Sequence, residues 1–429
     1  MKIRLKNTKG ITLIALVITI IIVLILAGTT MNMITSQDGI LNKTIIAKER
    51  LNESVYEEIV NIVTQTARIN EDGKIDNDIL KKELDKQFGT GKYVWDENNM
   101  ILTVDGKIYA IKSDGTVKEK VSELEKSQGK VLSTTETKTV KDEYGNEVRI
   151  PAGFKITYDA DNVTQGVVIE DVAGGDSNSI GNQFVWIPLG KIYTDKSRTE
   201  SEVKEIKLAR YIFDKDGNII KDRIQETAEG KIGTTSGYYF TEEKNIDSTF
   251  VASAKENKGY YIGRYEAGDS TATKSNKERN NSTEGILVCK AGQQVYNYIT
   301  KENAKIKSEN MYTEKTFKSD LINSFAWDTA ILFEQIFDDR ENKSIPYSQE
   351  TGLTYGKPKT TGTSGDKICN IYDMAGNVLE WSTEKYSNND TPCVNRGGRY
   401  INNDFYTSSR TVYKDNANIT RGFRPILYL

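Results

Sequence analysis

The stretch Asn370-Ile371-Tyr372-Asp373-Met374-Ala375-Gly376-Asn377-Val378-Leu379-Glu380-Trp381 holds the densest set of chemistry-bearing residues in the chain. Asp373 and Glu380 are hard oxygen donors on either side of Gly376, which permits a tight backbone turn. Apolar Ile371, Met374, Val378 and Trp381 would pin such a turn to a core. Two readings stand: a loop that holds a divalent cation, or a buried acidic turn closed by hydrogen bonds. A second group lies between Gly398 and Arg421, where Asn402, Asn403, Asp404, Phe405, Tyr406, Thr407, Ser408, Ser409 and Tyr413 cluster. Aromatic rings give contact area and Asn, Asp and Ser give adaptable hydrogen bonds, so this composition suits recognition. An ordinary polar loop face has the same composition.

What is missing narrows the chemistry. The 429 residues include no His, which removes imidazole bases, Ser-His-Asp and Cys-His systems and His-based metal sites. The three cysteines, Cys289, Cys369 and Cys393, do not make a disulfide scaffold. Cys289, in Ile286-Leu287-Val288-Cys289, reads as a buried strand residue. With 61 acidic against 58 basic residues and a net charge of −3, nothing favours a nucleic-acid partner.

The elements that must position these groups follow a clear order. Residues 1–10 carry Lys2, Arg4, Lys6 and Lys9 without an acid, and residues 11–34 are predominantly apolar. A membrane-spanning helix needs about 20 such residues, so 11–34 is expected to cross a lipid bilayer. The positive leader places the short N-terminus in the cytoplasm and the remaining chain outside the cell. Helical spacing of Leu41, Ile45, Leu51, Val55, Ile59, Ile62 and Val63 predicts an amphipathic stalk helix over 35–69. Residues 70–117 predict a small head. It consists of a short helix marked by Ile79, Leu80, Leu84 and Phe88 and a meander of runs at Tyr93–Trp95, Met100–Val104 and Lys107–Lys112. Residues 118–136 read as a charged, Ser/Thr-rich linker. Beyond 137 come short β runs, among them Phe154–Tyr158, Phe184–Ile187 and Tyr260–Tyr265, with one helical candidate at Ser319–Phe337. Stretches 191–258, 267–283 and 340–366 read as long loops.

Two family resemblances attach to these segments. Lys9-Gly10-Ile11-Thr12-Leu13-Ile14-Ala15-Leu16 resembles the processing site of type IV prepilins and type II secretion pseudopilins. The resemblance covers about residues 1–60. It implies cleavage by a prepilin peptidase after Gly10, N-methylation of Ile11, and assembly with other pilins. The family's acidic fifth residue, thought to pair with a neighbour's terminal amine, is Ala15 here, which weakens a regular filament role.

The second resemblance covers roughly 150–429. Gln183-Phe184-Val185-Trp186-Ile187-Pro188, Tyr261-Ile262-Gly263-Arg264-Tyr265-Glu266, Asn370 to Trp381, Arg396-Gly397-Gly398-Arg399-Tyr400 and Arg421-Gly422-Phe423-Arg424 occur in the order of the formylglycine-generating enzymes, or sulfatase-modifying factors. That resemblance implies a C-type lectin-like fold over 137–429. It also implies a structural calcium held by Asp373 and Glu380 side chains and by the Gly376 and Val378 carbonyls. The family's copper is held by two thiolates, whose positions fall at or near Asn402 and Thr407. An amide and a hydroxyl do not replace a thiolate pair, so copper is not expected. Arg399 replaces the Ser of the Gly-Gly-Ser-Tyr block, and Leu379 the first Trp of Val-Trp-Glu-Trp. The related sulfoxide synthases need His, which is absent. If the two blocks are neighbours as in the family fold, a Cys369–Cys393 disulfide outside the cell is implied, with free buried thiols as the alternative. The same fold carries the variable proteins of diversity-generating retroelements, which favour Asn, Tyr, Ser and Asp in this C-terminal segment.

Together these readings predict an α+β chain: membrane-spanning pilin-like helix, stalk, small head and irregular lectin-like domain. The expected function is a bacterial surface protein whose C-terminal domain does no chemistry. It would bind a glycan or protein ligand through Arg399, Asn402, Asn403, Asp404, Phe405, Tyr406, Thr407 and Ser409. A minor pseudopilin and a divergent oxidase are the alternatives.

Overall fold

The computed structural model divides the chain into two compact units, residues 1–120 and 121–429. In the first unit it describes residues 56–68, 75–112 and 115–120. In the second it describes 122–429 apart from 215–218, 227–231, 235–236, 244–245, 272–283, 314, 339–356, 364–366, 388 and 402–405. The processing positions Gly10 and Ile11, the expected span 11–34 and the stalk as far as residue 55 lie outside the described residues.

In the first unit residues 56–67 are helical. Val60, Val63 and Ala67 are buried against Leu80 and Leu84 of the helix Asn77–Phe88 and against Leu102, Val104, Tyr109 and Ile111. Ile62, expected on the apolar stripe, is 55% exposed, because the packed face runs through 60, 63 and 67 instead. Asp76 caps the second helix, its carboxylate accepting from the Asp78 and Ile79 amides at 2.9 and 3.0 Å. Strands Tyr93–Asp96, Ile101–Val104, Lys107–Ile111 and Val117–Glu119 form an antiparallel meander in chain order. The last of them takes up the start of the stretch read as a linker. The rest of that stretch folds into the second unit: Ser122 and Glu125 close a capping box on the helix Glu123–Ser127, and Leu124 joins the main core.

The second unit is built on two six-stranded sheets. In one, the strand order is Lys318–Leu321, Pro425–Tyr428, Gly259–Gly263, Gln183–Pro188, Val168–Asp171, Phe154–Ile156, with antiparallel neighbours throughout. The other runs Ile232–Thr234, Gly237–Glu242, Leu379–Tyr386, Cys393–Arg396, Arg410–Tyr413. Arg421–Phe423 lies parallel to Leu379–Tyr386 on its second side. The chain leaves one sheet after Phe423 and enters the other at Pro425, so Arg424 sits at the crossing. Aromatic residues fill the main core, among them Phe154, Phe184, Trp186, Tyr260, Tyr261, Trp327 and Phe333. Gly259 is required there, since a Cβ would lie 2.2 Å from the Trp186 ring. The helix expected from Ser319 starts at Ser324 instead. Lys318–Leu321 is taken by the sheet, and Asn323 caps the helix by accepting from the Ala326 amide.

The α+β expectation is corrected by these elements. The described chain is mostly β with few helices. Many of its strands are only two to four residues long, too short to leave a periodic signal in the sequence, and 191–258, read as loop, takes in six strands of three to seven residues and a helix. The single-pass membrane reading is corrected to what the described residues carry, the expected span 11–34 lying outside them. Among the described residues no helix is long and apolar enough to cross a membrane. The helix Ser324–Phe337, at 14 residues, is about 21 Å long where a bilayer core needs about 30 Å.

A buried ionic network joins the second sheet to that helix. Asp328 accepts from Arg396 and Arg410, one guanidinium on each carboxylate oxygen, and also from the Tyr211 amide at 2.9 Å. Glu384 accepts from Arg396 Nη1 at 2.7 Å, from Arg410 Nε at 2.9 Å and from Thr241 Oγ1, with Arg210 Nη2 at 3.4 Å. All five charged side chains are fully buried. Burial alone would raise the Glu384 pKa, but Arg410, Arg396 and Arg210 hold it well below the ordinary glutamate value. Its contribution to stability is therefore present above the unfolded pKa of about 4.3 and is lost as pH falls toward the depressed folded value. Glu384→Gln is expected to cost about 3–5 kcal/mol at pH 7 by urea unfolding. The gap to wild type should narrow as the solution is acidified below the unfolded pKa. A variant of unchanged stability would contradict this account.

Candidate functional site

The loop Asn370–Trp381 is shaped by residues that tolerate left-handed backbone. Asn370, Asp373 and Asn377 have φ of 65°, 64° and 59°. Each has its side chain engaged. Asn370 Nδ2 donates to the Gly166 carbonyl at 2.9 Å. One Asp373 carboxylate oxygen accepts from the Gly362 amide at 2.8 Å. Asn377 Nδ2 donates to Glu266 Oε2 at 2.6 Å, and its Oδ1 accepts from the Lys359 amide. Gly376 and Val378 are buried, and the Val378 amide donates to Glu266 Oε1 at 3.0 Å.

Glu380 has a different partner from the one expected. Arg424 donates to both of its oxygens, Nε to Oε2 at 2.9 Å and Nη2 to Oε1 at 2.6 Å, with both side chains fully buried. The same guanidinium also caps the carbonyls of Gly263 and Tyr372. It therefore ties together the loop, the strand Gly259–Gly263 and the crossing between the sheets. Burial, together with the charges of Asp373 and Glu380, pushes Glu266 well above the usual glutamate range, against the pull of Arg424. The residues expected to hold calcium do not fit that ion. Glu380 is committed to a guanidinium, and among the described residues no group of three or more acidic or Cys side chains could hold a metal. Hydrogen bonds from Gly362 to Asp373 and from Arg424 to Glu380 engage the two acids of the loop. Adding calcium or EDTA to the protein is thus expected to leave its melting midpoint unchanged, whereas Arg424→Met should cost about 3–5 kcal/mol by leaving Glu380 buried and alone. A calcium-dependent rise in the midpoint would overturn the assignment.

The segment expected to bind ligand starts and ends in the ionic network, because Arg396 and Arg410 face each other across paired strands. Gly397, at φ 75°, passes so close to the loop that a Cβ would lie 2.4 Å from the Met374 carbonyl. The Tyr400 amide donates to the Asn377 carbonyl at 2.7 Å, a second tie to the loop. Arg399 and Tyr406 are half-buried and reach the surface; Asn402, Asn403, Asp404 and Phe405 lie outside the described residues. Thr407 and Ser409 are corrected from surface to interior, at 1% and 5% exposure. The Thr407 carbonyl accepts from Trp327 Nε1 at 2.8 Å, and Ser409 Oγ accepts from the Tyr406 amide at 2.8 Å. They shape the turn that returns the chain to Arg410.

The thiols are dispersed. No disulfide joins any of the three cysteines. Cys369 packs at the edge of the main core and Cys393 belongs to the cluster around Trp381 and Phe423, so the expected Cys369–Cys393 bridge is not formed. Cys289 is fully buried, its Sγ donating to the Gln183 and Tyr265 carbonyls at 3.1 and 3.4 Å, and burial pushes its pKa up to about 11. Sequence reasoning passed over Glu266, Asp328, Glu384 and the partner role of Arg424. No local pattern marks them, since their partners lie 12 to 174 positions away.

Residues 288–427 match the Sulfatase-modifying factor enzyme 1-like domain. That match does not reach the N-terminal residues 1–60 and gives a prepilin reading no support. No curated protein matches the chain. Three solved structures are similar in part. CarF is 14% identical, covers 40% of this chain and 87% of its own, at a TM-score of 0.27. PvdO from Pseudomonas aeruginosa is 11% identical, with 59% and 96% covered, at 0.32. The variable protein 1 of Treponema denticola is 13% identical, with 58% and 96% covered, at 0.24. The domain match, and not these likenesses, carries the assignment: over residues 288–427 the chain contains a sulfatase-modifying factor enzyme 1-like domain.

Proposed function

We propose that this domain is a non-catalytic recognition module that binds its ligand through the face around Arg399 and Tyr406. One observation carries the reading: the two buried carboxylates that hold Arg396 also hold Arg410, so the intervening segment is clamped at both ends. A frame of that kind presents side chains rigidly, which lowers the entropy cost of binding. The thiols support the absence of oxygen chemistry, because the copper chemistry of the sulfatase-modifying enzymes needs two thiolates at one ion. Here Cys289 is held protonated by burial, and Cys369 and Cys393 sit in different clusters.

The test is a screen of the full chain against glycan and surface-protein arrays, followed by affinity measurement on the best hit. Arg399→Ala and Tyr406→Ala are expected to weaken binding by about tenfold each while the melting midpoint holds. No aldehyde should form on cysteine-containing sulfatase peptides. Copper-dependent oxygen uptake that disappears on Cys→Ser replacement would instead establish an oxidase.

A further inference from the structure

The second sheet has a face opposite its buried ions, and polar atoms there lack partners. Register places Trp381 beside Asn395, and Asn395 beside Thr411, so these three side chains share one face. Arg421 pairs with Leu379 on the parallel strand, two residues from Trp381, and so projects from the same face. Its guanidinium lies 5.5 Å from the Trp381 ring centroid and 3.8 Å from that of Tyr413, which places it across the strand that carries Asn395. Asn395 is fully buried, yet neither atom of its amide has a partner. Thr411 Oγ1 and Arg421 Nε are buried and without partners as well.

Native folds leave very few buried polar atoms unsatisfied, so four on one face call for an explanation. Their chemistry is one-sided. Arg421 Nε and Asn395 Nδ2 only donate, Thr411 Oγ1 can donate, and Asn395 Oδ1 alone must accept. Arg421 has no carboxylate partner among the described residues, its Nη1 being spent on Asn416. Burial lowers its pKa, with the like charge of Arg399 acting in the same direction against Tyr413. A cation in that position is short of an anion. The face reaches solvent at Thr411–Tyr413, which are half-buried, and at the exposed residues 414–416.

We propose that Asn395, Thr411 and Arg421 form a niche for a carboxylate at the base of the recognition face. The proposal deepens the recognition reading above and rests on it. Three donor groups suit a planar monoanion, whereas a phosphate or sulfate brings more oxygens than these groups can satisfy. The free Asn395 Oδ1 then accepts from a donor next to that carboxylate. An acidic sugar offers a hydroxyl there, and a chain-terminal residue an amide N–H.

The experiment titrates the full chain by calorimetry with glucuronate and with N-acetylglycine. Glucose, N-acetylglycinamide and inorganic sulfate are the controls. At least one carboxylate should bind and the uncharged controls should not; which one binds identifies the source. Thr411→Val and Arg421→Gln should weaken that binding by about tenfold or more. Asn395→Asp places a carboxylate in the niche itself, so it should raise the melting midpoint and exclude the probes. Sulfate binding more tightly than either carboxylate, or an Asn395→Asp variant that melts lower with wild type binding no carboxylate, overturns the niche. The two readings fail separately. A ligand sensitive to Arg399→Ala, no binding of either carboxylate and a destabilised Asn395→Asp remove the niche alone. Carboxylate binding with a stabilised Asn395→Asp, and no ligand sensitive to Arg399→Ala, removes the wider recognition reading alone.

Discussion

The second unit depends on two buried carboxylates, Asp328 and Glu384, that share the guanidiniums of Arg396 and Arg410. Each acid meets both arginines and each arginine meets both acids. Taking these charges out of water is costly, and their mutual attraction offsets that cost only when the geometry is complete. It is nearly complete here: Thr241 and the Tyr211 amide supply further donors, and Arg210 adds a third cation. The network joins the helix Ser324–Phe337, the strand Leu379–Tyr386 and the pair of strands that carries the two arginines. Hydrophobic burial is non-directional and could tolerate sliding between these pieces, but ion pairs with fixed hydrogen-bond vectors do not.

Glu380 and Glu384 lie on one face of the same strand, and each meets arginine, Glu380 through Arg424 at the crossing between the sheets. The alternation of a strand then divides the sheet by chemistry. One face carries Glu380, Glu384, Arg396 and Arg410; the other carries Trp381, Asn395, Thr411 and Phe423. In the loop Asn370–Trp381 a guanidinium does the work that a divalent ion does when acidic loops bind calcium: it neutralises a carboxylate and gathers carbonyls around itself. The difference is that a guanidinium is covalently part of the chain.

Local signals in the sequence reach as far as local physics does. The helix Asn77–Phe88, its Asp76 cap and the meander after it are legible because capping and turn residues act over a few positions. The Asn370–Trp381 turn is legible as a turn, but Gly376 is not its left-handed residue: Asn370, Asp373 and Asn377 take the positive φ values. The partner of Glu380 is not legible, because the choice between an ion and Arg424 is made 44 positions away. Thr407 and Ser409 have surface residue types and misled for a related reason. Their burial is stabilised by contacts to Trp327 and Tyr406 that composition does not record. The short strands within 191–258 are held by pairing partners and not by periodicity, so they read as loop.

A clamped segment has a consequence for how recognition can work in this domain. Arg396 and Arg410 fix where the segment begins and ends, Gly397 fixes its first turn and Thr407–Ser409 fix its last. None of these constraints involves the side chains of Arg399 or Tyr406 in the buried ions. The free energy that folds the domain and the free energy that would bind a ligand are therefore carried by different residues. Asn395, Thr411 and Arg421 stand between the two sets: each packs with the frame, and each keeps a buried polar atom without a partner.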